Sequence, residues 1–184
     1  LIGMPFFRER TYPGLDGRLR FPLAVESSRK LHSDRVDLAA RWSRPVRWFD
    51  VGLSHFWGAS REPVFAIVAP DSLSAPEVIA NYDVIHQTGI DMQSTFRGWL
   101  LKWEAISRSG QGDRFFSTVA GFEYTFSNLK NSGIDVGTLV EYHYDSRDDI
   151  QFGPQMISPT PFNKDVFVGS RLAFNDVKST ELLI

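Results

Sequence analysis

The chain has no cysteine among its 184 residues, which excludes a disulfide framework and any thiolate metal site. It also lacks any run near the roughly 20 apolar residues that a membrane helix needs, so no helical span is expected. Its opening, Leu1-Ile2-Gly3-Met4-Pro5-Phe6-Phe7, carries neither a basic n-region nor a small-residue cleavage site. Positive charge is not in excess: 20 Lys and Arg stand against 22 Asp and Glu, and the pI is about 6.1. That balance offers no global basic field for nucleic acid, and no nucleic-acid partner is expected. What the chain does have is aromatic residues, with 15 Phe, 5 Trp and 5 Tyr. Its mean hydropathy of −0.20 looks like that of a soluble protein. The average is misleading for strands of which only alternate residues meet an apolar medium.

Apolar residues recur with a period of two, not 3.6. Val36, Leu38, Ala40 and Trp42 share one face, with Asp37, Ala39 and Arg41 on the other. Phe49, Val51, Leu53 and Trp57 oppose Asp50, Gly52 and Ser54, with His55 and Phe56 breaking the pattern. Val84, Thr88, Ile90 and Met92 oppose Gln87, Gly89, Asp91 and Gln93, and Trp99, Leu101, Trp103 and Ala105 oppose Lys102 and Glu104. Phe116 to Phe126, Ile134 to Tyr144 and Asp165 to Phe174 repeat the alternation, and partial strands lie at Leu1 to Phe7 and Ser179 to Ile184. The reading is nine strand segments.

The connections alternate in length. Long ones are expected from Arg8 to Arg35, Gly58 to Asn81 and Arg147 to Pro161, and a modest one from Arg108 to Arg114 falls in a long slot. Short ones are expected at Ser43-Arg44-Pro45, Ser94-Thr95-Phe96, Ser127 to Ser132 and Asn175 to Lys178. Outer-membrane barrels have short periplasmic turns and longer extracellular loops, whereas a soluble sandwich has no such requirement. Strands of about ten residues suit a tilted crossing of the bilayer. Aromatics at the ends of the apolar faces, Trp42, Trp57, Tyr82, Trp99, Tyr144 and Phe174, match interfacial girdles. The expected fold is therefore all-β: an antiparallel, up-and-down transmembrane β-barrel in the outer membrane of a Gram-negative bacterium. Bacterial single-chain barrels have even strand numbers, and lipid does not tolerate open edges, so residues 1–184 are expected to be one segment of a larger barrel. A soluble β-sheet domain is the competing reading, because alternation alone also fits a sheet packed on one face.

Four runs carry a family resemblance: Asp50-Val-Gly-Leu-Ser-His-Phe-Trp-Gly-Ala-Ser-Arg-Glu-Pro63, Gln87-Thr-Gly-Ile-Asp-Met-Gln93, Gly121-Phe-Glu-Tyr-Thr125 and Leu172-Ala-Phe-Asn-Asp-Val-Lys-Ser-Thr-Glu-Leu-Leu183. Together they resemble an uncharacterised porin-like family of Gram-negative outer-membrane proteins. The resemblance implies a fold and a location, and it carries over no substrate, cofactor or active site.

Little in the residues suggests catalysis. His32, His55, His86 and His143 have no metal-ligand spacing, and Ser54 and His55 point to opposite faces of their strand. There is no nucleophile elbow and no phosphate-binding glycine loop, so neither an enzyme nor a cofactor is expected. The polar faces hold the informative chemistry. Their expected lumen-lining charges are Asp37, Asp50, Asp91, Glu104, Glu123, Asp135 and Glu141 against Arg41, Lys102 and Arg171. Asp83, Asp165 and Glu181 add to the acidic set. Carboxylate rings favour cations, so passive passage of small polar solutes with cation preference is one expectation. Mutual pairing that merely keeps the interior wet is the other. Bulky residues among the polar faces, Phe56, Leu100, Leu139 and Phe167, favour a different function: a plugged structural or ligand-binding barrel that recognises ligands through its long loops. The first long connection, with Arg8, Arg10, Arg18, Arg20, Arg29, Lys30 and Arg35, could fold inward as a constriction, face lipopolysaccharide phosphates, or be simply solvated. The expected partners are outer-membrane lipid, lipopolysaccharide and small polar solutes.

Overall fold

The computed structural model describes residues 1–14, 16–18, 25–27, 34–68, 76–147, 155–156 and 163–184. Among these, strands dominate, there is no α-helix, and one short 3-10 turn covers Leu129–Asn131. In chain order the strands are β1 (Ile2–Pro5), β2 (Val25–Ser27), β3 (Val36–Val46), β4 (Phe49–Ala59), β5 (Val64–Val68), β6 (Glu77–Asn81) and β7 (Val84–Phe96). They continue with β8 (Trp99–Ser109), β9 (Phe115–Phe126), β10 (Asp135–Asp145), β11 (Gln155–Met156), β12 (Asp165–Ala173) and β13 (Glu181–Leu183).

Nine of them form one sheet in the order β1-β3-β4-β7-β8-β9-β10-β12-β13, every pair antiparallel. These are the nine segments that alternation marks, because a period of two fixes both strand type and the buried or solvated face. The sheet is an open meander and not a closed barrel. β1 pairs only Ile2–Pro5 with Val36–Ala39, and β13 reaches only Arg171–Ala173, so much of β3 and β12 is a free edge. Pro45, which has no N–H to donate, lies on that edge stretch of β3, where a strand proline is tolerated.

Two short turns lie a few residues beyond their expected places. Ser43-Arg44-Pro45 and Ser94-Thr95-Phe96 belong to strands, and the chain reverses instead at Arg47-Trp48 and Arg97-Gly98. Arg97 and Gly98 both have positive φ, 48° and 85°, as the tightest hairpin turn requires. Proline is usually a breaker, and its place on a free edge is what let β3 run on.

The larger correction concerns the long connections. Their described residues are not plain loops: β2, β5, β6 and β11 come from three of them and assemble a second sheet in the order β11-β5-β6-β2. β5 and β6 are antiparallel, whereas β2 runs parallel to β6. The buried core sits here. Phe7, Ala59, Ala80 and Tyr82 form its centre, with Tyr12, Val25 and Phe65 packed against it. Among the described residues nothing covers the apolar face of the nine-stranded sheet. Val36, Leu53, Trp103, Phe116, Val166 and Val168 are all exposed, the last two at 64%.

Candidate functional site: the charged face and its capped end

Register assigns every side chain of the large sheet to a face, since directly opposed residues point the same way. Arg41, Ser54 and Gly89 form one cross-strand row of the polar face, and Gly52, Asp91, Glu104 and Val119 another. Arg41 reaches diagonally to Asp91 in a two-pronged pair, 2.7 Å from Nη1 to Oδ1 and 2.9 Å from Nη2 to Oδ2. The bridge passes over Gly52, where an added Cβ would lie within 2.6 Å of both partners. Asp91 is directly opposite Glu104, a like-charge arrangement that the guanidinium offsets.

The other expected bases are paired as well: Lys102 with Glu123 and Arg171 with Glu181. His143 lies 3.5 Å from Glu141 on its own strand. Asp50, Glu104, Asp135, Glu141 and Asp165 have no Lys or Arg ion-pair partner among the described residues. Asp135 instead takes a hydrogen bond from the Asn128 backbone N–H at 2.7 Å, and Asp165 takes one from that of Asn163 at 2.6 Å. Mutual pairing and an acidic remainder therefore coexist. Arg41, Asp50, Asp91, Lys102 and Glu104 line one concavity of about 600 Å³, and Asp135, Arg171 and Glu181 line another of about 400 Å³.

Asp37 is a correction. It belongs to the polar face by register but is fully buried, not a solvated lumen charge. Arg35 Nε approaches its Oδ1 at 2.8 Å, Arg61 Nη2 its Oδ2 at 2.9 Å, and the Ala59 backbone N–H donates to Oδ1 at 3.0 Å. Gly58 makes room for it: a Cβ there would lie 2.5 Å from the Asp37 side chain. The unit is a clasp between β3 and the connection that leaves β4.

A second clasp sits alongside. Arg108 donates to Gln87 at 2.7 Å and to Glu62 at 2.8 Å, and Gln111 donates to the Glu62 carbonyl at 2.6 Å. Ser60, fully buried, donates to the same carbonyl at 2.8 Å. Arg147 holds Asp145 and lies 4.1 Å from the Phe115 ring centre, with Arg108 5.5 Å from that ring. Ile85, Phe115 and Asp145 belong to the polar face and are buried at this end. So the connections fold over the end of the charged face. Arg108 falls within the connection expected from Arg108 to Arg114, yet it belongs to β8. Continuing the alternation Lys102, Glu104, Ile106 by one step would have found it.

Among the residues expected to form girdles, Trp42, Trp57, Trp99 and Phe174 are exposed at 40–50%, and Tyr144 is half-buried. Tyr82 is the exception, only 3% exposed. Its ring meets Phe7 edge-on at 5.1 Å, and its hydroxyl accepts from the Arg10 N–H at 2.9 Å and lies 3.4 Å from that of Tyr12. Burial, with the Tyr82 hydroxyl alongside, pushes the Tyr12 phenol above its ordinary range. Tyr82 is thus a core residue of the cap. Ser54 and His55 do face opposite ways, with His55 bonded to Thr88 at 3.0 Å on the apolar side. Among the described residues no group of three potential metal ligands is gathered. His32, Arg20, Arg29 and Lys30 lie outside the described residues. Against family models, curated proteins and solved structures, the chain has no match.

Proposed function

We propose that this chain is a segment of a porin-like β-barrel in the outer membrane of a Gram-negative bacterium, admitting small polar solutes with a preference for cations. One observation carries the reading: a nine-stranded antiparallel sheet whose apolar face has no cover among the described residues while its other face holds nearly all of the charge. A soluble sheet would bury that apolar face against a second layer. Seven of the strands are 9 to 13 residues long, which suits a tilted crossing of the hydrocarbon layer.

Polar atoms on the apolar face support the same reading, because lipid offers them no partner. The Trp103 indole donates to Thr118 at 2.9 Å, and Thr118 donates to the Glu104 carbonyl at 2.8 Å. Ser94 and Ser170 donate to the carbonyls of Trp48 and Gly137, at 2.6 and 3.1 Å. The free edges at β1 and β13 would be paired by further strands in a closed barrel.

Planar-bilayer recording tests the channel. Discrete conductance steps are expected, with a reversal potential in a salt gradient on the cation-selective side. A barrel that inserts and seals without conducting would refute passage, and anion selectivity would refute the role of the carboxylates.

The capped end favours a second reading, a binding barrel whose connections recognise a ligand. Its support is the second sheet and the two clasps across the polar face. Uptake of small sugars into protein-loaded liposomes separates the two: swelling supports the pore, and its absence supports the binding barrel.

A further inference from the structure

The apolar face is not uniform. Near the end where the long connections leave, two cross-strand rows break it: Ala40, His55, Thr88, Ser107 and Phe116, and Leu38, Trp57, His86 and Ser109. His55 and His86 are exposed, with ring centres 6.0 Å apart, and His86 lies 6.4 Å from Trp57. The Arg114 guanidinium comes over from the β8–β9 connection and donates to Ser107 Oγ at 3.0 Å. These two rows contain no carboxylate, and Asp113 is the single acid of the 110–114 connection. The hydroxyls of Thr118 and Ser170 deeper on this face turn back to the backbone. Here, in contrast, imidazole, hydroxyl and guanidinium donors gather on the outside.

We infer that this patch is a docking site for the net-anionic phosphate headgroup of a lipid, one with no choline or other cation to balance it, in the leaflet on the long-connection side. The charge is complementary: one permanent guanidinium and two imidazoles present donors suited to phosphate oxygens. Continuity with the bare apolar face supplies the second half of the fit. Leu38, Trp57 and Phe116 are exposed beside the donors, where acyl chains would lie. A free phosphate would need only the donors; a lipid uses both. The Nδ1 of His55 bonds Thr88, which orients the exposed ring.

The inference rests on the membrane reading, and the experiment separates their failures. The protein is reconstituted in phosphatidylcholine bilayers, and spin-labelled phosphatidic acid is compared with spin-labelled phosphatidylcholine for the fraction held immobile at the protein surface. A preference for phosphatidic acid of about fivefold is expected at low salt, weakening as salt is added. It should fall toward unity in the variant His55→Leu, His86→Leu, Arg114→Ser, and persist in Arg97→Ser, Lys130→Ser at the opposite, short-turn end. Immobilised lipid with no preference, or a preference unchanged in the patch variant, overturns the docking site alone. No immobilised lipid of either kind overturns the membrane reading and the site with it.

Discussion

At the scale of single residues, Asp37 shows how burial changes the meaning of a charge. The same side chain four residues further along the face, at the place of Arg41, would be solvated. Under the β4 exit it is completely enclosed and held by two guanidiniums and a backbone N–H. Removing its charge leaves Arg35, which is largely buried, without its counter-charge, a cost of about 2 kcal/mol. Asp37→Asn is therefore expected to loosen the 60–83 connection, so that limited proteolysis there speeds up by roughly tenfold while the strand content by circular dichroism stays the same. Gly58→Ala should act in the same direction, since its methyl group would displace the carboxylate. Unchanged cleavage in both variants would show that the clasp does not hold the cap. Asp176 is the contrasting case, exposed near a turn and held by hydrogen bonds, not by burial. Backbone and hydroxyl donors of Thr180 hold its carboxyl below the ordinary carboxylate range.

At the scale of elements, strand identity was legible and strand ends were not. Alternation located all nine strands of the large sheet because side-chain period is a local property. The ends depend on what pairs with what: Pro45 remains in β3 only because that stretch is an edge, and Arg97-Gly98 turn because Phe96 finds Trp99. The turn yields a direct check. Arg97 sits at φ 48°, a conformation asparagine adopts more readily, so Arg97→Asn should stabilise the β7–β8 hairpin by about 0.5 kcal/mol. Gly98→Val, at φ 85°, should destabilise it by about 1–2 kcal/mol. Urea unfolding from lipid vesicles would measure both, and equal midpoints for the two variants would mean that another step governs stability. The clasp residues Arg61, Glu62 and Gln111 were not legible, because their partners are 24 to 49 residues away in sequence, in β3, in β8 and in the connection after β4.

At the scale of the whole molecule, two uncovered surfaces and one covered end define what the chain can do. In the proposed membrane setting the apolar face, uncovered among the described residues, meets lipid, and the polar face retains carboxylates after its cross-strand bases are paired. If that remainder sets ion preference, Asp50→Asn with Glu104→Gln should shift the reversal potential measurably toward zero selectivity at low salt. Arg41→Gln should move it the opposite way by freeing Asp91. A reversal potential indifferent to all of these changes would place selectivity elsewhere, with the arginine-rich clasps at the capped end as the next candidates.

The strand alternation, the segregation of charge to one face and the alternation of short and long connections follow from the sequence alone, since each depends on neighbours within a few positions. Tertiary structure alone decided that the long connections build a sheet of their own, that Asp37 and Tyr82 belong to its support, and that the cross-strand bases choose Asp91, Glu123 and Glu181 as partners. These outcomes depend on register and on contacts between distant segments. A period of two says which face a residue takes, but not what will cover it.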